Sequence, residues 1–266
     1  MTGMLRYERE GEIAIITLDN PGKMNPLGLA VQRGLREMLA TVRDDHAVRA
    51  LVITASGGAF CVGADLGDQV LAAPSGGALG DRVADTMHAL TNRVISDIRA
   101  LPVPVVAAIN GATAGAGVGL ALAADVVLAA RSAYFYLPFI AKLGIVPDMG
   151  TTWFYERLLG RCRATALTLL ADRLPAEQAV QWGLIWACVD DADLRGAALA
   201  LAQRLAQLPA HAVLEVRHAF DAAGQHTLEE QLHYEAERQR KLVDRPEFTE
   251  GVRAFLEKRE PRFAPR

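Results

Sequence analysis

The chain has 266 residues, 51% apolar and 22% charged, with a formal net charge of -3. That length supports a full hydrophobic core without staples, and the charge leaves no basic face for nucleic acid. Three cysteines at long spacings (Cys61, Cys162, Cys188) make neither a disulfide framework nor a zinc signature. The N-terminal residues are charged where a signal peptide needs an apolar run, and no stretch reaches the apolar length of a membrane span, so the expectation is a cytoplasmic protein with no membrane partner.

Residues 12–19 and 49–54 are short Ile/Val-rich runs bounded by turn residues and predict buried strands. Between them Val31, Leu35, Met38, Leu39 and Val42 recur at helical spacing. A second unit follows, with a helix predicted over 83–101, breakers at Pro102 and Pro104, and an apolar strand at Val105–Ile109. Residues 67–82 read as a loop and 125–129 as another strand. From 148 onward the pattern is almost wholly helical: Leu194, Leu201, Leu205 and Leu208 form one stripe, and Thr227 with Glu230 forms a capping-box signature. Phe248, Val252, Phe255 and Leu256 make a last amphipathic face stopped by Pro261. Strands alternating with helices, then helices alone, predict an α/β core with a helical C-terminal extension.

Two glycine-rich loops follow predicted strands: GGAFCVGADL at 57–66 and NGATAGAGVGLALAAD at 110–125. Such turns aim unpaired backbone N–H groups outward at a helix start, which suits an anion or a developing oxyanion. The second is not a dinucleotide fingerprint, because Leu120 stands where the third glycine belongs, and no Gly-Lys-Ser/Thr marks a phosphate loop. Taken singly, each loop is equally well a tight packing turn.

The pair, together with ARSAYFYLPFIAKLGIVPDMGTTW, AEQAVQWGLI and EGVRAFLEKREPRF, resembles the crotonase (enoyl-CoA hydratase/isomerase) superfamily over nearly the whole chain. The resemblance implies a crotonase-like spiral of ββα units as catalytic core over 1–200, with a helical C-terminal oligomerisation region over 201–266. It also implies an acyl-coenzyme A thioester substrate, no cofactor beyond the coenzyme A that the substrate carries, and a homotrimer or dimer of trimers. The thioester oxygen would be held by the N–H groups of Ala64 and Ala116. Coenzyme A would meet Lys23 and Met24, Ala64 to Leu66 with Asp65 between them, and Phe255 with Lys258 on the last helix. From the residues alone, Asp65 reads as a loop brace, and Phe255 and Lys258 read equally as a core aromatic and a helix-end cation.

The hydratases of this superfamily use two glutamates, which would fall at Gly119 and at Phe139 or Ile140; neither position carries a carboxylate. Asp148, in IVPDMGTTW, falls where its isomerases carry a single acid, and one carboxylate suits moving a proton from one carbon to another. The residue pattern alone reads Asp148 first as a helix N-cap; the resemblance makes it the proton shuttle. Ile145, Val146, Met149, Trp153 and Phe154 are expected to raise its pKa. The stretches KLGIVPD, GTTW and EQAVQWGLIW are most similar to the superfamily's ring-epoxide isomerases, except for one extra residue between Phe135 and Gly144 beside Pro138. Hydratase chemistry, a hydrolase or dehalogenase with Asp148 as nucleophile, and a silent acyl-CoA-binding protein are the competing readings. Cys61 reads as a packing residue. The pairs His211/His218 and His226/His233 lack the spacing of a zinc helix, so no metal is expected.

Overall fold

The computed structural model describes residues 3–67, 78–264 and 266. A hairpin of β1 (Leu5–Glu10) and β2 (Ile13–Leu18) leads into α1 (Leu29–Asp44). Three strand–strand–helix units follow: β3 (Ala50–Ala55), β4 (Ala59–Cys61), α2 (Leu79–Thr86) and α3 (Asn92–Arg99); β5 (Val105–Ile109), β6 (Ala112–Ala114) and α4 (Ala116–Leu122); β7 (Val126–Ala130), β8 (Tyr134–Tyr136) and α5 (Thr151–Leu170). The chain closes with β9 (Leu174–Pro175), α6 (Ala176–Gln181), β10 (Ala187–Val189), α7 (Leu194–Ala206), α8 (Ala212–Ala223), α9 (Leu228–Leu242) and α10 (Pro246–Glu257).

The first strand of each unit enters one sheet and the second enters another. The large sheet runs β1-β2-β3-β5-β7-β10 and the small one β4-β6-β8-β9. From β2 to β10 the large sheet is parallel, with Ile15 opposite Val52, Val52 opposite Val106 and Val106 opposite Val126. Parallel strands are buried on both faces, which is why β2, β5 and most of β3 are continuously buried and almost wholly apolar. The result is the ββα spiral of the crotonase fold.

The α1 stripe lies inward as predicted. The charged N-terminal segment is also a strand, β1, pairing antiparallel along β2 with most of its residues exposed. Its missing alternation hid it from a pattern search. The expectation of helices alone after 148 fails at β9 and β10, strands of two and three residues whose pairing with β8 and β7 supplies what their length cannot. On α7, Leu194 is buried as the leucine stripe predicts, and Leu201 and Leu205 are half-buried against the core, but the fully buried line continues through Ala198, Ala202 and Ala206, and Leu208 is 42% exposed. Small residues there let the helix approach the strands closely. In the loop predicted over 67–82, helix α2 already begins at Leu79, while residues 68–77 lie outside the described residues.

The chain widens to π-turns at Met87–Thr91, between α2 and α3, and at Phe139–Leu143. A π-turn carries one residue more per hydrogen-bonded ring than an α-helix, and the second lies within the Phe135–Gly144 segment beside Pro138. The Thr227–Glu230 capping box is present, the Thr227 N–H donating to Glu230 Oε2 at 2.8 Å and the Glu230 N–H to Thr227 Oγ1 at 3.3 Å. Helix α8 is anchored to the core by Arg217. No helix among the described residues is long and apolar enough to cross a membrane.

Candidate active site

The two glycine loops meet. A Cβ placed on Gly63 would lie 3.0 Å from the Ala114 carbonyl and 3.1 Å from the Ala116 nitrogen. Gly63 also has φ +95, so no other residue suits this contact. Each loop then orients one N–H by the same device. The carbonyl of one residue and the N–H of the next belong to one planar peptide unit and point in opposite directions. The Gly63 carbonyl accepts the Leu27 N–H at 2.8 Å, and Leu27 forms a parallel bridge to Ala64. The Gly115 carbonyl accepts the Val118 N–H at 3.0 Å in the first turn of α4. The N–H groups of Ala64 and Ala116 are thereby turned away, and neither has an acceptor among the described residues. Two adjacent oriented donors, one opening a helix, form a site for a negatively charged oxygen.

Behind the loops, Cys61 fills the space beside Gly117, where a Cβ would lie 2.8 Å from the Cys61 Cβ and 2.9 Å from its Sγ. Burial pushes the Cys61 thiol up to about 12, so it packs as a small apolar residue and does not act as a nucleophile.

Asp148 belongs to the turn between the second π-turn and α5. The cap position of α5 is Gly150, with no side-chain cap bond, so the N-cap reading of Asp148 is not what the structure shows. Its main-chain carbonyl accepts the Thr151 N–H at 3.0 Å, while its Oδ1 is buried with no partner among the described residues; the same holds for Thr151 Oγ1. Burial raises the Asp148 carboxyl to about 6, opposed only in part by its own backbone N–H. Of the apolar neighbours expected around it, Met149 and Phe154 are buried, whereas Ile145, Val146 and Trp153 are exposed. The packed turn itself desolvates the acid. Met149 and Gly150 follow with consecutive positive φ values of 49 and 75, a strained pair of the sort that a structure retains where it over-determines the geometry.

This turn abuts α4. A Cβ on Gly119 would stand 2.4 Å from the Met149 carbonyl oxygen, so the face of α4 that begins at Ala116 carries Met149 directly beside Asp148. The ring of Phe139 reaches the second glycine loop as well, its Cζ 3.8 Å from a Cβ on Gly115. Of the two positions where the resemblance places carboxylates, Gly119 has no room for a side chain and the other falls on buried Phe139 or half-buried Ile140.

Lys23 and Met24 are exposed at the end of a short turn, and the Met24 carbonyl accepts the Val62 N–H at 3.3 Å, placing them next to the first glycine loop. Asp65 and Leu66 continue that loop toward the surface. Phe255, 82% exposed, and Lys258, at the left-handed end of α10, are also on the surface, and α10 shares no extensive packing with β4, α4 or α5. Asn25 was not singled out from sequence. Buried with φ +57, it donates through Nδ2 to the carbonyls of Ser56 (2.9 Å) and Ala59 (2.8 Å) and accepts the Asn20 N–H at 2.7 Å, fastening the Lys23–Met24 turn to the glycine loop. The Asn-Pro pair was the available signal, since asparagine tolerates the left-handed region.

The family model for enoyl-CoA hydratase/isomerase matches residues 8–266. A Rhodobacter capsulatus protein named "Probable enoyl-CoA hydratase" is 43% identical over 262 residues, 98% of each chain. The 1,2-epoxyphenylacetyl-CoA isomerase of Escherichia coli is 40% identical over 265 residues, 99% of this chain and 98% of that one. The crystal structure of an enoyl-CoA hydratase from Polaromonas sp. JS666 superposes with a TM-score of 0.87 at 31% identity, covering 98% of this chain and 99% of that one. With the spiral fold and the paired backbone donors, these matches make the chain a member of the enoyl-CoA hydratase/isomerase family.

Proposed function

We propose that the protein is an acyl-CoA isomerase in which Asp148 is the sole proton shuttle. The observation that carries this reading is the occupancy of the site. Asp148 is a half-buried carboxyl, its Oδ1 fully enclosed, raised to about 6, and it belongs to the turn against α4 where the Met149 backbone closes position 119 and neither Phe139 nor Ile140 supplies a second acid. The thioester carbonyl receives the N–H groups of Ala64 and Ala116, which stabilise the enolate oxygen. Ionised Asp148 takes a proton from one carbon of the acyl chain, holds it in a poorly hydrated place, and returns it to another. The double bond moves and no atom is gained or lost. For a ring-epoxide substrate, as the Escherichia coli relative's name describes, the same proton transfer would assist ring opening.

Lys23, Met24, Asp65 and Leu66 are the proposed coenzyme A contacts beside the first loop. Phe255 and Lys258 would reach coenzyme A from a neighbouring subunit of a trimer or hexamer, consistent with the exposed apolar face of Phe248, Val252, Phe255 and Leu256. Water addition is the second reading, favoured by the name of the Rhodobacter relative.

A panel of acyl-CoAs in deuterated water, read by mass spectrometry, separates the readings. Isomerisation gives deuterium exchange and a product of unchanged mass apart from label; hydration adds the mass of water. Loss of exchange in Asp148→Asn supports the assignment. Full isomerase turnover in a folded Asp148→Asn overturns it, and an aspartyl ester trapped on Asp148 would show a nucleophile instead.

A further inference from the structure

Gln32 stands at a core position of α1, within the stripe formed by Val31, Leu35 and Leu39, and is 1% exposed. A buried amide needs partners to offset its lost hydration, and a leucine there would pack without that need. Both ends of the amide are engaged in one line. Thr91 Oγ1 donates to Gln32 Oε1 at 2.8 Å, and Gln32 Nε2 donates to the Leu27 carbonyl at 2.8 Å. Leu27 in turn donates its N–H to the Gly63 carbonyl at 2.8 Å and bridges Ala64. Thr91, itself buried, closes the π-turn at Met87–Thr91.

We infer that the Thr91–Gln32 pair fixes the direction of the Ala64 N–H through Leu27, which makes Gln32 and Thr91 positioning residues for the oxyanion site. The physical step is the planarity of the Gly63–Ala64 peptide. Rotating that unit to release the carbonyl from Leu27 would swing the Ala64 N–H away from the thioester by the same angle. Gly63 at φ +95 has no Cβ to resist such a rotation, so the restraint comes from Leu27, and Gln32 holds Leu27 from its carbonyl side. A hydrogen-bonded chain restrains direction in a way that apolar packing of equal volume does not.

The inference rests on the isomerase reading of the oxyanion site and is tested on the full-length protein by three measurements. These are α-proton exchange of a saturated acyl-CoA in deuterated water, the infrared stretch of its ¹³C-labelled thioester carbonyl when bound, and affinity for free coenzyme A. The variant is Gln32→Leu with Thr91→Val, which removes the amide and the hydroxyl together and leaves the Leu27 carbonyl as the one group that loses a donor. Exchange is expected to fall about tenfold to a hundredfold, less than or near the loss from deleting an oxyanion donor. The carbonyl stretch should move back toward its free value while coenzyme A affinity stays unchanged. Thr91→Val alone should show the same trend, and Thr91→Ser, which keeps the hydroxyl, should restore exchange; these serve where the double variant does not fold. Unchanged exchange and carbonyl stretch in Thr91→Val or the double variant would overturn the inference while leaving the isomerase reading intact. Absence of exchange and of any carbonyl shift in the wild type would instead sink the isomerase reading, and this inference with it.

Discussion

Met149 occupies the space that any side chain at position 119 would need: a Cβ there would lie 2.4 Å from the Met149 carbonyl oxygen and 2.7 Å from its Cβ. The obstacle is backbone, which cannot rotate aside. Gly119 is therefore a condition for seating the Asp148 turn on α4, and the absence of a glutamate there is built into the packing. Gly119→Ala should destabilise the protein by about 3 kcal/mol or more, at or beyond the usual range for overpacking, measured by denaturant unfolding. Gly119→Glu should not gain hydratase activity. Water addition by a folded Gly119→Glu protein would show that the turn is free to move.

The Asp148 carboxyl, raised to about 6 by burial, must be ionised to accept a proton. Activity should therefore rise with pH, reach half its maximum in kcat/KM near pH 6, and be flat above pH 7. A profile with its acid limb near pH 4 would mean that the acid is solvated in the working enzyme. Asp148→Asn should lower turnover by roughly 10²–10⁴-fold, the usual worth of a positioned acid–base group.

The same shift sets a dependence of stability on pH. A carboxyl whose folded pKa is raised gives up protons in the unfolded chain first, so the folded state loses stability as pH climbs from about 4 to about 6. Above that window the penalty is constant and on the order of 3 kcal/mol; below it the penalty vanishes. Asp148→Asn should accordingly raise the melting temperature at pH 8 and leave it unchanged at pH 3.5. An equal gain at both values would assign the stabilisation to something other than the charge.

Much of the spiral was legible because burial leaves a periodic trace: the α1 stripe and the runs Ile13–Leu18 and Val105–Ile109 lie where their patterns place them. β1, β10 and the whole small sheet β4-β6-β8-β9 were not, since β1 is mostly exposed and the others are strands of two or three residues defined by their neighbours. The glycine loops announced themselves by composition. That they touch, and that Met149 seals Gly119, depends on residues 30 and more positions apart, a distance over which residue spacing carries no signal. Gln32 was visible as a polar residue in an apolar stripe, yet its partners Thr91 and Leu27 come from separate segments.

Cys61 sits against Gly117 with its thiol pushed up to about 12, so the thiolate population at neutral pH is negligible. Iodoacetamide at pH 8 should label exposed Cys162 and spare Cys61, as read by peptide mass spectrometry. Cys61→Ala should retain most activity. Rapid alkylation of Cys61 accompanied by inactivation would reopen a nucleophilic role.

Arg217 joins α8 to the core through five bonds. Its guanidinium meets Asp125 on both oxygens, Nε to Oδ1 at 2.7 Å and a terminal nitrogen to Oδ2 at 2.6 Å, and it donates to the carbonyls of Arg99 (2.9 Å), Leu101 (2.6 Å) and Val103 (3.3 Å). Its side chain is 4% exposed. Removing one partner of a buried pair strands the other, so Arg217→Met should cost about 3–5 kcal/mol. Replacing a simple buried pair by apolar residues often restores that loss. Here it should not: Asp125 Oδ2 also accepts the Val105 N–H at 2.7 Å, and the three carbonyls would have no donor. Arg217→Met with Asp125→Leu is therefore expected to remain well below wild type in urea unfolding, with amide exchange accelerated first along α8. Recovery of wild-type stability in the double variant would reduce this cluster to an ordinary ion pair.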